Sequence, residues 1–316
     1  MTGSPSSGRG GVGGHLREMP DQLVEMALRE DLGAGDWTTL WTVGPSDRAE
    51  GRIVAKEALV VAGIRVAERV FHAVDPDLQV EHLAADGVRV EPGAPIIQVT
   101  GFARGILAAE RTALNFLGRL SGIATLTQSF VEALEGAATA RITDTRKTTP
   151  GWRALEKWAV RLGGGENHRM GLDDMVIIKD NHIVAAGGVR NAVLRVTEQN
   201  DRGLAIEVEV SRVEQVEELE DLRIDRILLD NMDDASMREV VTRVLGWPEP
   251  RPELEASGNI TLGRVRRVAE TGVHWISVGA LTHSASVADL SLGLTWLSDH
   301  SPLHSPEREA TSSDLL

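Results

Sequence analysis

The chain has 316 residues, 42% of them hydrophobic and 25% charged, a globular composition, and its 33 basic against 47 acidic residues leave a net charge of −14. That balance disfavours nucleic-acid binding as a global property, because phosphate contacts need a basic face. The absence of cysteine excludes disulfides, thiolate metal sites and cysteine nucleophiles. No apolar run approaches the roughly 18 residues of a membrane helix, and no apolar secretory core opens the chain, so a soluble, cytoplasmic protein is expected.

In chain order, residues 1–19 are rich in Gly and Ser and read as a disordered leader. From Pro20, the residues Leu23, Val24, Met26, Ala27 and Leu28 give one apolar helical face, closed by Gly33 as a C-cap. Between Gly51 and Gly101 short β-type runs alternate with Gly, Pro and Asp. They are Arg52–Ala55, Leu78–Val80, Val88–Val90 and Pro95–Val99, with helical spacing over Ala62–Val74 between the first two. This texture predicts a small α/β sandwich. A long helix follows, with Ile106, Leu107, Leu114, Leu117, Leu120 and Ile123 on one face. Arg111 lies in it beside Glu110 and reads equally well as a solvated surface residue.

After Ala138 strands and helices alternate. The apolar runs are Ala140–Thr143, Met175–Ile178, Leu204–Val210, Ile227–Leu229, Leu254–Ala256 and His274–Val278. The helical patterns are Val189–Glu198, Ser211–Leu219 (with Ser211 and Glu214 as a capping box), Ser236–Leu245 and Leu262–Glu270. Repeated βα units imply a parallel sheet, doubly wound or closed. Polar or glycine residues finish every run: Arg146-Lys147, Lys179, Glu209, Asp230, Ser257-Gly258 and Gly279. A barrel furnishes all its strand ends in this way, whereas a doubly wound sheet concentrates ligand groups at one switch point. The expected fold is therefore an N-terminal α/β sandwich over 20–120 and an α/β barrel of TIM type over 121–290. Over 291–316 a helix is expected to pack back on the sandwich, followed by a disordered tail.

The stretch Asp144–His182 holds adjacent cations, Arg146-Lys147 and His168-Arg169, folded back by Pro150-Gly151 and Gly163-Gly164-Gly165. It can converge several cations on one small polyanion. Glu207 and Glu209, two apart on a strand, face the same side. Glu209 with Asp230 could hold Mg²⁺, or the pair could neutralise the neighbouring cations; Glu207 reads as structural. Ser257-Gly258-Asn259 and Gly279-Ala280 could cradle a phosphate through backbone N–H groups, or could be ordinary turns. Carboxylate-binding cations, a metal pair and a phosphate cradle together suit transfer of a phosphoribosyl group to an acidic acceptor.

At these residues the sequence resembles the quinolinate phosphoribosyltransferase family. The shared strings run from L-R-E-D-L-G at Leu28 through E-R-T-A-L-N-F-L, L-S-G-I-A-T, T-R-K-T-T-P-G, G-G-G-E-N-H-R-M-G-L and I-K-D-N-H. They continue through E-V-E-V, L-L-D-N, E-A-S-G-N and S-V-G-A-L-T. The resemblance implies that quinolinate and phosphoribosyl pyrophosphate are converted, with Mg²⁺, to nicotinate mononucleotide, pyrophosphate and CO₂. It implies that Arg111, Thr145, Arg146, Lys147, His168, Arg169 and Lys179 bind quinolinate and pyrophosphate, with Lys147, Lys179, Glu209 and Asp230 catalytic. It places Glu209 and Asp230 at the ribose and metal, and Ser257, Gly258, Asn259, Gly279 and Ala280 at the 5′-phosphate. It also implies an incomplete barrel and a homodimer in which Arg111 acts across the interface. Asn259 stands where some members have glycine, and Trp152, where leucine is usual, reads as a packing variant. Two alternatives are a same-fold relative associated with molybdenum transport and a Schiff-base lyase using Lys179.

Overall fold

The first half of the chain builds a sheet that the last strand among the described residues completes. The fold is that of a computed structural model, which describes residues 12–134, 136 and 139–297, with side chains from Asp21 onward. Helix α1 (Val12–Leu32) starts ahead of the expected position at Pro20, so part of the expected leader is helical backbone; residues 1–11 lie outside the described residues. Gly33, at φ +50, closes α1 with its N–H on Arg29 O, the left-handed stop expected there. Helix α2 (Trp37–Thr42) is capped by Asp36, whose Oδ1 accepts from Thr39 N at 3.0 Å.

Strands β1 (Arg48–Ala55) and β2 (Leu59–Val60), helix α3 (Ile64–Val74), strands β3 (Gln79–His82), β4 (Arg89–Val90) and β5 (Pro95–Phe102), and the 30-residue helix α4 (Ala103–Glu132) follow. Their alternating burial comes from sequence: Ile53 and Ala55 on β1, and Ile97 and Val99 on β5, pack beneath Val66, Val70 and Phe71 of α3 and Ile106 and Ala109 of α4. The antiparallel sheet has the order β12-β1-β5-β3, and β12 (Leu290–Trp296) is the chain's final described strand. Here the structure corrects the expected C-terminal helix. Leu290, Leu292, Leu294 and Trp296 repeat every second residue, and the segment pairs antiparallel with β1, from Ala55↔Leu290 to Ala49↔Trp296. The chain does return to the sandwich, but as a strand. Residues 298–316 lie outside the described residues.

The second half supplies β6 (Arg141–Thr143), α5 (Arg153–Leu162), β7 (Val176–Ile178), α6 (Asp180–Ala186), α7 (Val189–Gln199), β8 (Ile206–Val210), α8 (Val213–Glu217), β9 (Arg226–Asp230), α9 (Asp234–Leu245), β10 (Glu253–Ser257), α10 (Leu262–Ala269), β11 (Trp275–Ser277) and α11 (Ala280–His283). The six strands form one parallel sheet in the order β6-β11-β10-β9-β8-β7, an incomplete barrel with β6 and β7 as its edges. The edge at β6 is covered by the segment after α5: Glu166 N donates to Ile142 O at 2.8 Å, and Asp144 N to Glu166 O at 3.2 Å. The α8 cap lies one residue from the expected box, since Gln215 Oε1, not Glu214, accepts from the backbone N–H of Ser211 and Arg212.

Helix α4 crosses from one half to the other. Arg119 on it donates to Glu156 Oε1 at 2.8 Å, to Ala285 O at 3.0 Å and to Thr282 O, tying α5 and the chain after β11 to the same helix. Gly122 permits the closest approach, because a Cβ there would lie 1.9 Å from Ser286 O. Trp152 packs as a ring: it stacks on Phe116 with centroids 4.7 Å apart.

Candidate active site

The barrel interior is charged rather than filled by the branched apolar layers usual for TIM barrels. On β8, Ile206, Val208 and Val210 are buried among the outer helices, which turns Glu207 and Glu209 inward. Leu254 and Ala256 do the same on β10, turning Glu253, Glu255 and Ser257 inward. Arg226 of β9 donates to Glu255 Oε2 at 2.7 Å and lies 4.4 Å from the Trp275 ring centroid; Arg141 of β6 lies 3.6 Å from it.

At the C-terminal strand ends, the structure brings together most of the residues singled out from sequence. Lys179, following β7, forms an ion pair with Glu209. Asp230 ends β9 directly opposite Ser257 of β10. Gly279 follows β11, so near the β6 loop that a Cβ on it would sit 3.1 Å from Lys147 Cδ. That loop is held by Thr282 Oγ1, which donates to Lys147 O at 2.8 Å, and by Thr145 Oγ1, which accepts from Lys147 N at 3.0 Å. Arg146 and Arg169 each carry a buried Nε–H without a hydrogen-bond partner. Burial, and then the charge of Arg146, hold Arg169 below the ordinary arginine range. Two like charges held together, each with a donor to spare, are chemically suited to meet an anion.

Two features were not visible in sequence. Asn231, directly after Asp230, donates from Nδ2 to Asp230 Oδ2 at 2.9 Å and accepts from Asn259 Nδ2 at 2.9 Å. Asn231 and Asn259 stand at φ 55 and 52, where Asn and Gly are the favoured residues. At position 259 that backbone would accept glycine as readily as Asn. Between them Gly258, at φ +88, leaves only 2.1 Å between a built Cβ and Asn231 Oδ1, so the cradle has no room for a side chain. The second feature is the set of groups around His168. Its Nε2 lies 3.1 Å from Glu207 and 3.4 Å from Glu255, and its Nδ1 accepts from Arg169 N at 2.8 Å. Burial opposes a charged ring, while the two carboxylates strengthen its hold on a proton at Nε2. The Arg169 N–H works the other way, since a proton on Nδ1 would displace it; the proton fixed by this geometry is the one on Nε2. Burial raises Glu207, whereas His168 and Arg226 overcome the burial of Glu255 and hold it low.

Behind the cations lies a buried ion pair. Lys157 and Asp144, 1% and 0% exposed, contact each other; Lys157 also donates to His168 O at 2.9 Å, and Asp144 accepts from His168 N at 2.9 Å. The β6 loop and the His168-Arg169 segment are thereby joined. Arg111 is the exception among the expected site residues. It is exposed on the half of α4 that packs on the sandwich, and no ion pair or hydrogen bond links it to the barrel within the described residues.

A parallel α/β barrel with cations, two carboxylates and a glycine cradle at its strand ends defines a glycosyl-transferring enzyme that handles phosphorylated, acidic substrates. The models of the N-terminal and C-terminal domains of quinolinate phosphoribosyl transferase match residues 36–121 and 123–293. The chain belongs to the quinolinate phosphoribosyltransferase family. It is 44% identical over 289 residues to the chloroplastic nicotinate-nucleotide pyrophosphorylase (carboxylating) of Oryza sativa, covering 85% of this chain and 76% of that one. It is 43% identical over 272 residues to the probable enzyme of the same name from Synechocystis, covering 86% and 91%. NadC from Streptococcus pyogenes superposes with a TM-score of 0.83 at 39% identity, over 88% of this chain and 97% of that structure.

Proposed function

We propose that the barrel mouth binds quinolinate and phosphoribosyl pyrophosphate and joins them with loss of one carboxylate, a step of de novo NAD biosynthesis. The pyridine nitrogen bonds to the sugar C1 as the bond to pyrophosphate breaks. The adjacent carboxyl group leaves as CO₂, and a proton takes its place. The observation that carries this reading is the pair of partly buried guanidinium groups, Arg146 and Arg169, whose unpaired Nε–H donors suit a dicarboxylate. Lys147 and Lys179 add charge for pyrophosphate, and the cradle of Ser257, Gly258, Asn259, Gly279 and Ala280 suits the 5′-phosphate. Lys179 is engaged by Glu209 in an ion pair, which argues against a Schiff-base role.

Glu209 and Asp230 fit Mg²⁺ by their chemistry. Both are carboxylates on neighbouring strands, and Lys179 and Asn231 engage only Glu209 Oε2 and Asp230 Oδ2, leaving Oε1 and Oδ1 for a cation. Bound there with phosphoribosyl pyrophosphate, Mg²⁺ would neutralise the departing pyrophosphate. Mass spectrometry should detect nicotinate mononucleotide and CO₂ from quinolinate, with little product from nicotinate and little in EDTA. Equal turnover of nicotinate would overturn the dicarboxylate reading, and full activity in EDTA would overturn the metal pair.

The exposed position of Arg111 supports a shared site in a homodimer, with Arg111 of the partner subunit reaching the barrel mouth. Arg111→Ala and Lys147→Ala should each be nearly inactive. Refolded together at random, about half the dimers are mixed and about a quarter of wild-type activity returns. No recovery in proven mixed dimers would rule out sharing.

A further inference from the structure

The quinolinate reading uses His168 as a substrate contact, yet both of its ring nitrogens are engaged inside the protein. Nε2 faces Glu207 and Glu255, and Nδ1 accepts the Arg169 N–H. The His168 side chain is 7% exposed and both carboxylates 0%. Glu207 belongs to β8 and Glu255 to β10, so the ring is gripped from two strands of the barrel, with Arg226 of β9, between them, bonded to Glu255 at 2.7 Å. The backbone of the same residue is gripped from the other side by Lys157 and Asp144. The next side chain in the sequence is the Arg169 guanidinium, which donates from Nη1 to Met175 O at 2.7 Å and keeps a buried Nε–H without a partner.

We propose that Glu207 and Glu255 are positioning residues that act through the His168 ring to hold the Arg169 amide, and so aim its guanidinium at a substrate carboxylate. The proton on Nε2 is the working part. Two buried carboxylates lie against it, at 3.1 and 3.4 Å, and attract it to that nitrogen, which keeps a lone pair on Nδ1 for the Arg169 N–H. His168, Glu207 and Glu255 also have ligand atoms within 4.8 Å of one another, close enough to cage a cation. Arg226 already supplies the positive charge there, and a protonated Nε2 has no lone pair for a metal.

The proposal rests on Arg169 meeting a quinolinate carboxylate, and the test separates the two ideas. Glu207→Leu keeps the volume near that of Glu and removes the nearer carboxylate from beside Nε2–H; Glu207→Gln keeps a polar oxygen there. Steady-state kinetics should show Glu207→Leu raising the KM for quinolinate about ten-fold, while the KM for phosphoribosyl pyrophosphate stays within about two-fold. Glu207→Gln should restore the quinolinate KM to within about three-fold. An equal rise in both KM values, or a rise that Gln does not rescue, indicates only a structural role and overturns the proposal. If Arg169→Ala leaves the quinolinate KM unchanged, the substrate reading itself fails. If Arg169→Ala raises it and Glu207→Leu does not, only the positioning idea fails. Nitrogen-15 NMR of the wild-type histidine rings gives an answer independent of any variant. His168, identified through its contact with the Arg169 amide, should hold its proton on Nε2 with Nδ1 bare. A ring protonated at Nδ1 would overturn the proposal.

Discussion

The buried pair Lys157–Asp144 is the sharpest test of how the cation-bearing loops are joined. Lys157→Met keeps most of the apolar stem and removes the ammonium. Asp144, 0% exposed, would then keep only Asn167 Nδ2 at 2.6 Å and His168 N at 2.9 Å as partners. Stripping one member from a buried pair costs about 3–5 kcal/mol. At roughly 2–4 °C per kcal/mol for domains of this size, the midpoint should fall by about 6–20 °C. Urea titration followed by tryptophan fluorescence gives the free energy directly. The double change Asp144→Asn with Lys157→Met removes both charges and should recover much of the loss. The pH dependence has a defined sign. Burial already raises Asp144 above its ordinary value, and removing Lys157 takes away the strongest opposing influence. A carboxyl raised in the folded state binds protons more readily there, so its stabilisation is fully present below the unfolded value and is lost as pH rises through the folded value. The deficit of Lys157→Met should therefore shrink on acidification from neutral pH. A loss under about 1 kcal/mol, or a deficit that grows on acidification, would refute the reasoning.

Arg146→Ala and Arg169→Ala should each cost about 2–5 kcal/mol in kcat/KM for quinolinate, with Lys rescuing only in part because the planar fork is lost; steady-state kinetics decides this. Gly258→Ala should weaken phosphoribosyl pyrophosphate binding on the order of ten-fold or more, since its Cβ meets Asn231 Oδ1 at 2.1 Å in a left-handed backbone, as calorimetry would report. Glu156→Gln should lower the thermal midpoint, because Arg119, Thr149 Oγ1 and Thr149 N all donate to that buried carboxylate; unchanged melting would contradict the role given to this joint.

Periodicity made most of the barrel legible. The I-E-V-E-V run placed both β8 glutamates on one face, and the polar residues finishing each run marked the mouth. What Glu207 touches was not legible, because its partner His168 arrives on a segment that first runs along the edge of β6. The contact depends on that edge, which no local pattern encodes. Asn231 was passed over for a similar reason: its meaning lies in its contact with Asn259, across neighbouring strands. The alternation Leu290, Leu292, Leu294, Trp296 is in the sequence, but its partner β1 lies roughly 240 residues earlier, and nothing local distinguishes this strand from the expected helix.

That distant pairing bears on how the chain is made. β1 runs between β5, which follows it closely, and β12, whose residues leave the ribosome only after the whole barrel. Through synthesis of the whole barrel, the outer edge of β1 waits with unpaired N–H and C=O groups, an open template for another nascent chain. A fragment ending after α4 would keep that edge permanently and should aggregate. The sandwich begins before the barrel, yet it is finished only after the barrel is made.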